Sequence, residues 1–234
     1  MTSAKLEILV IKIGSSLLIG EDGAPRRNWL ETLVEDIARL HTDGSSVLLD
    51  SSGSIALGAR RLGLSKGGRA SLADAQAAAS VGQIALSGLW SELLAAHTIT
   101  AAQMLLTLDD LEDRKRYLNA TATLEKLLEN RAVPVINEND SVATDEIRFG
   151  DNDRLAARVA QAASADRVLL LSDVDGLYDR TPGSETEGQF IGVVETVDHQ
   201  IMAMAESESS SGLGSGGMVS KLEAARIANL AGIE

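Results

Sequence analysis

Phosphoryl chemistry needs fixed positive charge beside free backbone amides, and this sequence offers that combination twice. Val10-Ile11-Lys12-Ile13-Gly14-Ser15-Ser16 is an apolar run ending in a basic residue and a glycine turn. A lysine there, followed by unpaired amides, can cradle a phosphate at the carboxyl end of a strand; a lysine snorkelling beside an ordinary turn is the competing reading. Gly212 to Lys221 (GLGSGGMVSK) places four glycines in six residues before a helix. Lys221 then falls in the first helical turn, where dipole and ammonium both favour an anion; a flexible glycine linker is the alternative. The spacing satisfies G-x-G-x-x-G, but helix and polar loop precede it where a dinucleotide site needs a strand, and no G-K-S or G-K-T follows for a P-loop.

Three further stretches could complete a site. Asn137 to Asp153 (NENDSVATDEIRFGDND) holds six acidic residues and three Asn around a single Arg148. It opens after the apolar run VPVI and closes as a helix begins, so Asp151, Asn152 and Asp153 sit at a helix N-terminus; capping accounts for only one or two of them. Asp50-Ser51-Ser52-Gly53-Ser54 and Ser172-Asp173-Val174-Asp175-Gly176 each follow an apolar run, and both are also what ordinary strand-ending turns look like. Phosphoryl transfer from ATP to a small acceptor uses all five stretches, because it depends on positioning and charge neutralisation rather than on a covalent nucleophile.

The elements that must hold these stretches are legible from apolar spacing. Strand-length runs occur at Leu6 to Ile13, Val47 to Leu49, Ile99 to Leu106, Val133 to Ile136 and Val168 to Leu171, and most precede helical periodicity. Helices are expected from about Asn28, through Ser71 to Ala96, around Tyr117 to Leu128, over Asp153 to Ala163 and over Met218 to Leu230. The runs LVIKI and VLLL are nearly continuous, as central parallel strands covered on both faces require. Gly176 to Asp179 and Phe190 to Val194 are expected to form a small antiparallel excursion. The fold class is α/β.

Composition narrows the function further. The 234 residues carry 44% hydrophobic and 24% charged side chains, the profile of a globular chain, and their mass suffices to bury roughly 70% of the unfolded surface in one domain, 1–234. Twenty-one basic against 34 acidic residues give a net charge of -13, which disfavours nucleic acid and anionic membranes as partners. The absence of Cys excludes thiolate chemistry, and His41, His97 and His199 are too scattered to suggest a histidine metal site. No basic leader or membrane-length apolar run is present, so a cytoplasmic location is expected.

The blocks VIKIGSSLL, SSGSIALG, AAQMLLT, VPVINENDSVATDEIRFGDND, LLLSDVDGLY and SGLGSGGMVSK, in this order, resemble the amino-acid kinase family and within it the members that phosphorylate glutamate. The pair VINEND and FGDND is the most specific. The resemblance runs from about Leu9 to Glu234 and implies a three-layer α/β/α sandwich around an open, mostly parallel sheet. It also implies ATP-dependent phosphorylation of the γ-carboxylate of L-glutamate, the first step of proline biosynthesis. Lys12 and Lys221 are implied to neutralise the transferring group and Asp153 to orient both ammonium groups. The implied acceptor contacts are Ser52, Gly53, Asp140 and Asn152, with Asn137 and Asp151 nearby. ATP is implied to lie against Lys12, Gly14, Ser172, Asp173, Ser215, Gly216, Gly217, Met218, Val219, Ser220 and Lys221. Mg2+ is implied to arrive with ATP, with no protein metal cage. Feedback inhibition by proline and a homo-oligomer are further implications.

Three features depart from the family pattern. Asp50 stands where an apolar strand residue is usual, and Ser54 where Ala is usual; both flank Ser52. The chain also closes after the helix ending near Leu230, where family members continue through further sheet elements and many add a small C-terminal domain, so a truncated kinase fold is expected. A catalytically weak nucleotide or amino-acid binding module is the rival from another class, and a sibling kinase with another acceptor is a third reading.

Overall fold

Apolar runs without alternation can only be satisfied by a sheet covered on both faces, and the computed structural model, which describes residues 7–142, 151–179, 188–208 and 217–234, contains one. β1 (Ile8–Ile13), β2 (Ser46–Ser51), β3 (Ala101–Leu106), β4 (Val133–Glu138) and β5 (Arg167–Leu171) lie in the order β3-β4-β2-β1-β5, and every pairing is parallel. All five strands arise where the sequence places them. Leu6, at the start of the first expected strand, lies outside the described residues.

Successive strand side chains point to opposite faces, which sorts the core into two layers. Leu9, Ile11, Ile13, Val47, Leu49, Val133 and Val135 face α2 (Arg27–Thr42), α3 (Ser54–Leu62) and α4 (Leu72–Ala95). Val10, Leu48 and Ile136 face α5 (Leu108–Glu112), α6 (Arg114–Glu129), α7 (Asp151–Ala162) and α9 (Gly217–Leu230). The three-layer sandwich is therefore built by residue parity. In α2 the buried side chains Leu30, Val34 and Ile37 recur at the helical spacing that makes one apolar stripe. The Ser71 side chain accepts from the Asp74 amide to start α4, and Thr107 with Asp110 forms a capping box on α5.

A short helix α1 (Ser15–Leu18) follows β1. The expected antiparallel excursion is present as β6 (Leu177–Tyr178) and β7 (Phe190–Ile191); with α8 (His199–Glu208) and the start of α9 it encloses a small separate core of Leu177, Ala205 and Leu222. α7 begins at Asp151, two residues before the expected start.

α3 begins within the stretch Asp50 to Ser54, whose residues suggest only a polar turn. Gly53 adopts φ +111°, a left-handed conformation that redirects the chain from β2 into the helix, and a Cβ there would come within 3.0 Å of Leu18. α3 then crosses α4 backbone to backbone: a Cβ on Gly58 would lie 1.7 Å from the Ala78 carbonyl oxygen, and one on Gly82 1.7 Å from that of Ser54. This crossing fixes the start of α3 at the carboxyl edge of the sheet.

Candidate active site

The parallel register brings the carboxyl ends of β1, β2, β4 and β5 to one edge, the usual ligand edge of an open α/β sheet. Residue parity divides that edge into two polar clusters.

The first cluster lies on the α7 side. Lys12, 6% exposed, extends from β1 so that its Nζ lies 2.6 Å from Oδ1 of Asp153, which is 1% exposed in the first turn of α7. From α9, Lys221 Nζ approaches Asp153 Oδ2 at 3.4 Å while also donating to the Gly217 carbonyl at 3.2 Å, and the Ser220 hydroxyl donates to the same Oδ2 at 2.7 Å. Burial alone would raise the Asp153 carboxyl; the charge and contact of Lys12, then Lys221 and the Ser220 hydroxyl, outweigh it and hold it below the usual carboxylate range. One carboxylate thus spaces two ammonium groups from distant parts of the chain. Gly14 adjoins them, since a Cβ on it would sit 3.8 Å from Lys12 Nζ and 3.7 Å from the Leu171 carbonyl oxygen.

β5 ends beside Gly14 and delivers Ser172 and Asp173, where the Ser172 hydroxyl accepts from the Val174 amide at 3.2 Å and Asp173 is exposed. Met218 and Val219, both partly buried, pack their side chains against the small core around Leu177. Gly217 opens α9. Ser215 and Gly216 lie outside the described residues.

The second cluster lies on the α4 side. Asn137, 1% exposed at the end of β4, donates through Nδ2 to Ser54 Oγ at 3.1 Å and to Gln83 Oε1 at 2.8 Å. Asn152 donates to Ser52 Oγ at 2.7 Å and to Asn137 Oδ1 at 3.0 Å, and its own buried Oδ1 has no hydrogen-bond partner. Ser54 Oγ also donates to Asp140 Oδ2 at 3.4 Å, and Asp140 is 7% exposed. Ser52, Asn137, Asp140 and Asn152, picked out from separate stretches of sequence, are therefore joined in one network, with Gly53 beside them at the start of α3. The side chain of Asp151 lies outside what the structure describes.

Two members of this network were not anticipated as site residues. Ser54 stands in the sequence only as a departure from pattern, yet it links Asn137 to Asp140. Gln83 holds the Asn137 amide from the middle of α4; its one signal is a long polar side chain in an Ala-rich stretch. Arg69 carries positive charge within reach of the Asp140 field, and its guanidinium is lowered by burial against that attraction. Asp50, two residues from Ser52 in sequence, shares the parity of Leu48 and faces Lys12 and α7.

The chain matches the model of the amino-acid kinase family over residues 7–234. It is 69% identical over 225 residues to a glutamate 5-kinase of Novosphingobium aromaticivorans, covering 96% of this chain and 59% of that protein. It is 62% identical to a glutamate 5-kinase of Zymomonas mobilis, over 96% of this chain and 57% of the relative. The chain thus spans under two thirds of the length of these curated relatives. Among solved structures, carbamate kinase from Giardia lamblia bound to AMP-PNP superposes with a TM-score of 0.63 at 14% identity, over 99% of this chain and 92% of the other. Isopentenyl phosphate kinase superposes with a TM-score of 0.56 at 18% identity, over 93% and 96%. These two likenesses extend to the fold alone. A parallel α/β/α sandwich with paired lysines around one buried carboxylate, matched by a family model over nearly all its length, places this chain in the amino-acid kinase family.

Proposed function

We propose that this chain is the catalytic part of a glutamate 5-kinase, transferring the γ-phosphoryl group of ATP to the γ-carboxylate of L-glutamate. The observation that carries the reading is the adjacency of the two clusters across β1, β2 and β4, one cationic and one rich in amide and hydroxyl groups. The high identity to relatives named glutamate 5-kinase supports the acceptor.

In this reading Lys12 and Lys221 neutralise the phosphoryl oxygens, and Asp153 fixes the separation of the two ammonium groups. The amides of Gly14 and Gly53 and the first turn of α9 give hydrogen-bond donors to phosphate oxygens. Ser172 and Asp173 border the nucleoside. On the other side, Asp140 and the unpartnered Asn152 Oδ1 accept from the glutamate ammonium, while the Ser52 hydroxyl and Asn137 amide orient the acceptor. A γ-carboxylate oxygen forms a bond to the γ-phosphorus as the bond to the ADP oxygen breaks, giving γ-glutamyl phosphate. No proton has to move in this step. Mg2+ would arrive with the nucleotide and supply charge neutralisation at the phosphates; among the described residues no group of three His, Cys, Asp or Glu is arranged to hold a metal ion.

The same proposal includes a place at the start of proline biosynthesis, inhibition by proline, a homo-oligomer and a cytoplasmic location. No helix among the described residues is long and apolar enough to cross a membrane. A coupled ADP-release assay with glutamate, aspartate and acetylglutamate as acceptors tests the reading, with proline added in a second series. Turnover is expected with glutamate above the other two, and no turnover with any of them would overturn it.

A further inference from the structure

Asp50 stands beside the cationic cluster, and the proposed reaction does not use it. It is 0% exposed in the middle of the carboxyl edge, and neither carboxyl oxygen has a hydrogen-bond partner. In the parallel register its Cα is the direct partner of Lys12 on the neighbouring strand, and both side chains project to the α7 face. Lys12 nevertheless makes its ion pair with Asp153. A second carboxylate one strand away from a buried ammonium is a competing partner, unless it carries a proton.

We propose that Asp50 is a positioning residue held as the neutral acid, and that its ionisation gives Lys12 a second partner and withdraws the ammonium from the phosphoryl path. This rests on the kinase reading above. The charged groups around Asp50 pull in opposite directions. From β1, Lys12 favours ionisation; from α7, Asp153 opposes it; from β4, Glu138 opposes it too. Burial is the largest influence, and together these raise the Asp50 carboxyl well above the usual carboxylate range. With Asp50 neutral, Lys12 and Lys221 against Asp153 leave one positive charge in the cluster; an ionised Asp50 cancels it, at the place where a polyanionic substrate must bind. The cluster is therefore cationic only while Asp50 keeps its proton.

Two measurements test this, and the first does not depend on catalysis. At neutral pH nearly every other carboxyl is ionised, so the infrared spectrum of the parent should contain a protonated-carboxyl stretching band that is missing from Asp50→Asn. Absence of that band in the parent overturns the proposal. The second is the affinity for Mg-ATP across neutral to alkaline pH by calorimetry, in the parent, Asp50→Asn and Asp50→Val. The parent should lose affinity on a limb that both variants lack, approaching about tenfold per pH unit beyond its inflection. Parallel pH courses in parent and variants overturn the positioning role. Asp50→Val serves the same purpose if the amide is not accommodated. A present band and a variant-sensitive limb without turnover on any acceptor would sink the glutamate kinase reading and leave the role of Asp50 standing.

Discussion

Lys12 Nζ and Asp153 Oδ1 stand 2.6 Å apart, with side-chain exposures of 8% and 2%. A buried pair of this kind contributes little net stability by itself, because removing two charges from water offsets their attraction. Its value lies in geometry. Asp153 reaches Lys12 on β1 and Lys221 on α9 at once, so the first turn of α7 sets where both positive charges stand relative to the sheet edge.

Loss of either lysine should therefore act on catalysis more than on acceptor binding. Lys12→Ala and Lys221→Ala are expected to lower kcat by about 10²- to 10³-fold, the range for deleting one preorganised donor to developing charge. Glutamate binding, measured by calorimetry without nucleotide, should change little. Unchanged kcat in either variant would remove that lysine from its assigned role.

Asp153 also makes a prediction about stability and acid. Its folded pKa is held below the unfolded value of about 3.9, so the pair stabilises the fold above that pH and the contribution is lost as pH falls through the lowered folded value. Asp153→Asn leaves the buried Lys12 uncompensated and should cost about 3 kcal/mol near neutrality. The gap in urea stability between parent and variant should then shrink as the pH is brought below about 4. A gap that stays constant would mean that Asp153 does not titrate with the fold.

The α3 to α4 crossing supplies a purely steric test. Gly82→Ala would place a methyl 1.7 Å from the Ser54 carbonyl oxygen, a backbone atom that cannot swing aside. A loss of about 3 kcal/mol or more is expected from chemical denaturation, at the upper end of overpacking costs. Wild-type stability in this variant would show that the two helices can part without cost.

Gln83 should tune the acceptor side alone. Gln83→Ala removes the acceptor of one Asn137 amide proton, 2.8 Å away, and lets that side chain turn. The KM for glutamate should rise about tenfold, as for loss of one buried hydrogen bond of roughly 1.4 kcal/mol, with the KM for ATP unmoved. Equal effects on both substrates would argue for a general structural role.

The sheet was legible in the sequence because β1, β2 and β4 are buried on both faces and read as unbroken apolar runs. Lys12 and Lys221, which meet at Asp153, stood out because glycine turns flank them. α3 was not legible, since Ser51 to Ser54 reads as a turn and the nine residues from Ser54 to Leu62 are held as a helix by contact with α4. That contact depends on Gly58 meeting Ala78 and Gly82 meeting Ser54, a long-range match that local spacing does not encode. Gln83 was hidden for the same reason: its partner Asn137 lies on another element. The side to which Asp50 points is decided by its register with Lys12, and only the paired strands reveal it.

The central claim is that the two clusters at this sheet edge make an acyl phosphate from glutamate and ATP. Hydroxylamine trapping reads that product class directly, because an acyl phosphate is converted to a coloured hydroxamate. The account predicts hydroxamate formation that requires both L-glutamate and Mg-ATP and falls by at least about 10²-fold in Lys12→Ala. ADP released with no hydroxamate, or hydroxamate at the parent rate in Lys12→Ala, would contradict it.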